Sequence, residues 1–172
     1  MLLRTAAVSI LLLLSSCAGG DGADGGGLPE PCSVKAELSG AVEASFTGNG
    51  DVACLTQHSL DSGLDVTFLK PTGQASLELN ISDVAEGMTG ANFPTRVVAR
   101  LDAFRYQASD CSVSIDEHRL LESEASEIGE LRRHQANGKG NCAAPLQSVA
   151  DPAMAEVTLA PFEFRAQFTW RD

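Results

Sequence analysis

No apolar run in this chain approaches the roughly 20 residues needed to cross a bilayer as a helix. The most apolar stretch, Ala6 to Leu14, stops well short. Positive charge is also scarce. The chain holds 12 basic residues against 23 acidic ones, which argues against nucleic acid as a partner and against charge-driven docking on anionic lipid. Cysteines at Cys-x-x-Cys spacing are missing, which argues against a four-cysteine zinc site. The sequence has no phosphate-cradling glycine loop, His-Glu-x-x-His pair, dinucleotide fingerprint or Gly-x-Ser-x-Gly elbow. From sequence we therefore expect no cofactor, and we assign no catalytic or metal-binding residue.

The N-terminus carries the most specific signal. Arg4, the apolar run and the small residues Ser15 and Ser16 read as a secretory signal. Gly, Asp and Ala follow, with no stop-transfer pattern. Leu14-Ser15-Ser16-Cys17 resembles the lipobox of bacterial lipoproteins. That resemblance implies cleavage before Cys17, a diacylglycerol thioether on its sulfur and an acylated new N-terminus. Two or three acyl chains would hold the protein on a membrane, since one alone holds only marginally. By resemblance to Gram-negative lipoproteins, Ala18, rather than Asp, favours sorting to the outer membrane. An ordinary signal peptide cut near Ala18 is the alternative. With the signal and Arg4 removed, 11 basic residues face 23 acidic ones, a net charge near −12.

Residues 17–31 form the lipidated cysteine and a Gly- and Asp-rich tether, too poor in apolar surface to fold. Such a linker spans about 20 Å on average. Asp21 and Asp24 fit no EF-hand spacing and read as a solvated tether. Residues 32–172 make one domain's worth of chain, long enough to bury roughly two thirds of its unfolded surface. Four cysteines remain there: Cys32, Cys54, Cys111 and Cys142. An even number in an exported chain reads as two disulfides, with three possible pairings.

Alternation with period two dominates the domain, the mark of half-buried strands. Val34, Ala36 and Leu38 begin it. Gly40 suggests a bend, and Val42, Ala44 and Phe46 continue. Gly48-Asn49-Gly50 is a tight turn, followed by a strand from Val52 to Gln57. Asp61-Ser62-Gly63 turns into Leu64, Val66 and Phe68, closed by Pro71-Thr72-Gly73. Leu77, Leu79 and Ile81 form the clearest strand. Asp83 to Pro94 reads as a longer loop. Val97 to Ala103 and Cys111 to Ile115 are strands. Glu117 to Gln135 is either a surface helix or a hairpin whose acidic loop is Glu122 to Glu127. We favour the hairpin, because folding about Ser126 sets Cys111 opposite Cys142, within reach of a disulfide. Cys32 and Cys54 then pair by elimination. Ala143 to Ala153 is a connection. Val157 and Leu159, then Phe162, Phe164, Phe168 and Trp170, form the last strands, and this aromatic stripe reads as core. About eight or nine short strands with frequent turns predict an all-β antiparallel sandwich, immunoglobulin-like or related, or a barrel. The Cys-Trp-Cys spacing of true immunoglobulin domains is absent.

Three clusters could carry chemistry. His58 with Ser59, Asp61 and Ser62 suggests a triad, but residues so close in sequence seldom converge on one atom. Asp116, Glu117 and His118, with His134 across the proposed hairpin, could hold a surface metal; a polar hairpin face is the simpler account. Asn80-Ile81-Ser82 matches a glycosylation sequon and reads as a strand. The leading functional expectation is a non-enzymatic envelope lipoprotein: a rigid β module that binds a protein or glycan partner or plays a structural role. The alternatives are a lipid or glycan carrier with an inter-sheet cavity, and a periplasmic hydrolase-like enzyme using carboxylates.

Overall fold

The computed structural model describes residues 32–48, 52–59, 63–126, 129–151 and 153–171. Cys17, Asp21, Asp24, Asn49, Gly50, Asp61 and Ser62 lie outside the described residues, as does the His58 side chain. The fold is all-β and antiparallel, with no helix among the described residues.

Eleven strands follow one another: β1 (Cys32–Gly40), β2 (Ala44–Gly48), β3 (Ala53–Ser59), β4 (Gly63–Leu69), β5 (Ala75–Ser82), β6 (Gly90–Leu101), β7 (Phe104–Ser126), β8 (Gly129–Cys142), β9 (Gln147–Ser148), β10 (Val157–Leu159) and β11 (Phe162–Arg171). One sheet runs β10-β1-β11-β8-β7-β6-β5-β4-β3, with β2 on the far side of β1 and β9 on β7. The sheet curls into a half-barrel, and its facing walls enclose the core as the two leaves of a sandwich would. Thr56 Oγ1 on β3 donates to the Gln167 carbonyl on β11 at 2.5 Å. The Cys32–Cys54 disulfide joins β1 to β3. These two links tie together strands that are far apart in the hydrogen-bonded path.

The period-two pattern does what a curled sheet requires: one face turns in and the other meets water. Leu64, Val66 and Phe68 on β4 stand opposite Ile81, Leu79 and Leu77 on β5, and all six are buried. Phe46, Phe162, Phe168 and Tyr106 fill the space between the walls and are fully buried. On β8, Gly138 and Gly140 lie beneath the rings of Phe164 and Phe162. A Cβ at Gly138 would stand 2.7 Å from the Phe164 ring and 2.6 Å from the Ser114 carbonyl oxygen. Glycine is needed there for close approach.

Cys111 stands directly opposite Cys142 in the β7–β8 ladder and is bonded to it. Glu117 to Gln135 is therefore hairpin, not helix. Of the acidic segment expected as a loop, Glu122 to Ser126 is strand instead: β7 runs on to Ser126, which pairs with Gly129, and Glu127 lies outside the described residues. A cross-strand charge pair bridges this ribbon, with Glu122 2.6 Å from its register partner Arg133. The predicted loop from Asp83 to Pro94 is also too long, because β6 starts at Gly90. Phe93 is buried opposite Val113. Gly90, Pro94 and Asn92, the last at φ 62°, hide a strand that irregular pairing accommodates. Within the Ala143 to Ala153 connection, Gln147 and Ser148 pair with Gln107 and Tyr106 as β9.

A histidine and tryptophan cluster at one end of the core

The inward stripes of β7, β8 and β11 run side by side and change character along their length. On β7, Cys111, Val113 and Ile115 point inward. Strict alternation would put Glu117 inside next. A register shift between Ile115 and Glu117 reverses the parity, so His118 enters the core instead. On β8, the stripe of Gly140, Gly138 and Ala136 ends with His134, which stands opposite Phe168 on β11. Trp170 is the last member of the β11 stripe.

These three rings form one cluster. The His118 and His134 centroids lie 5.2 Å apart with planes at 76°. Trp170 lies 5.0 Å from each. Both histidines are over nine-tenths buried, at 8 % and 6 % exposure. They are not direct partners in the ladder: His118 faces Ala136, and His134 faces Leu120. The bulge makes them diagonal neighbours.

The β5–β6 connection, residues 83–89, covers this end. Val84 anchors it in the core. Gly87, at φ 70°, takes the left-handed turn between Glu86 and Met88. The Glu86 carboxylate accepts two hydrogen bonds from Arg132, Nε to Oε1 at 2.7 Å and Nη2 to Oε2 at 2.9 Å. Its Oε1 is also 2.7 Å from His134 Nε2. The Arg132 hydrogen bonds, helped by His134 and opposed by partial burial, hold the Glu86 carboxyl below the usual carboxylate range. The Met88 carbonyl lies 3.0 Å from His118 Nδ1. Burial, reinforced by the neighbouring His134, pushes the His118 imidazole below its ordinary value, although the Met88 hydrogen bond acts the other way.

The partners fix the tautomers. A carbonyl and a carboxylate can only accept, so His118 donates through Nδ1 and His134 through Nε2. The remaining ring nitrogens, His118 Nε2 and His134 Nδ1, are buried and have no hydrogen-bond partner within the protein. In the neutral rings both carry lone pairs.

The bulge divides the metal ligands suggested by sequence. Asp116 is exposed and ion-paired with Lys139 at 3.3 Å. Glu117 turns to Asn137 and Arg119. Of that set, the structure brings together the two histidines. No group of three or more His, Cys, Asp or Glu side chains placed to hold a metal occurs among the described residues. Glu86, Arg132 and Met88 escape sequence reasoning, because nothing local marks a loop residue as the partner of a strand some 46 positions away. On the outer face, a shallow groove of about 530 Å³ is lined by Lys35, Asp116, Lys139, Glu163 and Arg165. Its Lys139 and Arg165 are engaged by Asp116 and Asn137.

No protein-family model matches the chain, and neither does any curated protein or solved structure.

Proposed function

We propose that this chain is a lipoprotein of the bacterial cell envelope, held on the outer membrane through a diacylglycerol on Cys17. Its β domain acts there as a non-enzymatic binding module. The observation that carries this reading is Leu14-Ser15-Ser16-Cys17 behind its apolar run. Two disulfides support it, since such bonds persist in oxidising compartments outside the cytoplasm. The filled interior favours binding at an end or face over carriage of a lipid between the sheets, because Phe46, Phe68, Phe162, Phe168 and Tyr106 occupy the space a cargo would need. The polar chemistry at the core's edge sits in the His118, His134 and Trp170 cluster, the part of the module best equipped to engage a ligand.

The test is the intact mass of the protein from the membrane fraction of its native host, before and after reduction under unfolding conditions. The expected species begins at Cys17, carries a diacylglycerol and gains four hydrogens on reduction. A soluble product cut elsewhere, with Cys17 unmodified, would overturn the anchoring.

A further inference from the structure

We propose that His118 and His134 form a two-imidazole site for a soft monovalent d10 metal ion, copper(I) or silver(I), with the Trp170 ring as one wall. The proposal names a ligand for the binding module above and rests on that reading.

Four observations carry it. First, both histidines present a bare nitrogen, His118 Nε2 and His134 Nδ1, and both nitrogens are buried without a partner in the protein. A buried lone pair is costly unless something occupies it. Second, the opposite nitrogen of each ring is held by an acceptor, the Met88 carbonyl for one and the Glu86 carboxylate for the other. That outer-shell pattern orients metal-binding imidazoles and raises their basicity. Third, a metal–imidazole bond is about 2 Å long. With that bond length a shared ion would lie about 3 Å from each ring centroid, so centroids 5.2 Å apart allow both rings to reach one ion at a bent angle of about 110°, not in line. Fourth, Trp170 stands 5.0 Å from both imidazoles, and an indole face attracts a cation within about 6 Å of its centroid.

The donor count selects the ion. With two imidazoles and no third His, Cys, Asp or Glu placed to complete a set among the described residues, the cluster does not meet the four-coordinate demand of zinc. A d10 monovalent ion is satisfied by two nitrogen donors held at a bent angle, with the indole ring as its third neighbour. The neighbouring Arg132 guanidinium would repel a cation, but Glu86 engages it through two hydrogen bonds and offsets its charge.

Silver(I) is the probe of choice because it needs no reductant and leaves both disulfides oxidised. The mature chain from Cys17, in detergent, is titrated with silver nitrate in a chloride-free buffer. Emission from Trp170, the single tryptophan, and the ring ¹⁵N resonances of the histidines are followed. One equivalent should change the Trp170 emission and move the His118 Nε2 and His134 Nδ1 resonances, while His118 Nδ1 stays protonated. Glu86→Gln should weaken binding about 10- to 100-fold, the usual range for an outer-shell partner. His118→Gln and His134→Gln should each weaken it by more than that. Unchanged ring resonances in the native protein would overturn the proposal without reference to any variant. So would binding that survives in both histidine variants with intact disulfides and near-ultraviolet circular dichroism, or zinc(II) binding more tightly than silver(I). None of these three failures affects the mass measurement of anchoring, so the two readings can fail separately.

Discussion

Two neighbouring regions of the same three strands pack their aromatic rings against opposite kinds of partner. Along Val113–Ile115, Gly138–Gly140 and Phe162–Phe164, phenyl rings lie on bare backbone, with no polar side chain on the inward face. A few residues further along, Trp170 meets two imidazoles, and a charged loop closes over them. The first region has the features of stability: steric fit, full burial and a disulfide nearby. The second holds buried nitrogens that do nothing for stability. Side by side, the two separate what maintains this fold from what it can offer to a ligand.

The comparison predicts unequal responses to mutation. The largest effect should follow Phe164→Ala, which empties the ring site over Gly138 and costs about 3–5 kcal/mol. Replacing Cys111 and Cys142 together by alanine should cost slightly less. Their separation of 31 residues corresponds to about 3–4 kcal/mol in the chain-entropy model. Gly138→Ala should cost about 1–3 kcal/mol by overpacking, because its Cβ meets backbone as well as ring. Urea unfolding measures all three, and a cost below 1 kcal/mol for Phe164→Ala would erase the contrast.

The histidine end should respond more weakly. Glu86→Gln should cost about 1–2 kcal/mol, since it weakens charged hydrogen bonds that are only partly buried. His118→Leu should be nearly neutral, within about 1 kcal/mol, because it removes a buried nitrogen with no partner along with one hydrogen bond. A loss of 3 kcal/mol there would mark His118 as structural and collapse the distinction.

Acid sharpens the same comparison. His118 and Glu86 both have folded-state pKa values below their ordinary ones of 6.5 and 4.5. For each group the unfolded chain binds protons more readily than the folded one. Their stabilising contributions are therefore present above those ordinary values and are lost as pH falls through the folded ones. In metal-free protein, the melting temperature should decline below about pH 6.5 and again below about 4.5. His118→Leu should flatten the first decline and Glu86→Gln the second. Amide exchange should show the 83–89 connection losing protection before the Val113–Ile115 segment does.

The sequence makes the apolar region legible and the histidine region obscure, for a physical reason. Val34 to Leu38, Leu64 to Phe68 and Leu77 to Ile81 follow strict alternation, so their inward faces can be read directly. Folding about Ser126 finds the Cys111–Cys142 bond because two register shifts offset the true turn, which lies between Ser126 and Gly129. The same shifts defeat the reading at His118. Parity counted from Cys111 points Glu117 inward, and no residue type announces the bulge that reverses it. The strand from Gly90 to Phe93 is obscured by residues that usually end strands. Glu86 and Met88 are invisible because their partners are distant in sequence, and a loop's docking site is set by the closed fold.

The Cys32–Cys54 link bears on mechanics as well as folding. Cys32 is the first residue of β1, a strand flanked by β2 on one side and β11 on the other. A pull on the chain ahead of it loads both neighbouring ladders along their length, so many hydrogen bonds resist together. The covalent link shares the same load with β3 on the facing wall. A tug at the N-terminal side of Cys32 thus meets a braced joint, and the domain resists unravelling from its first strand.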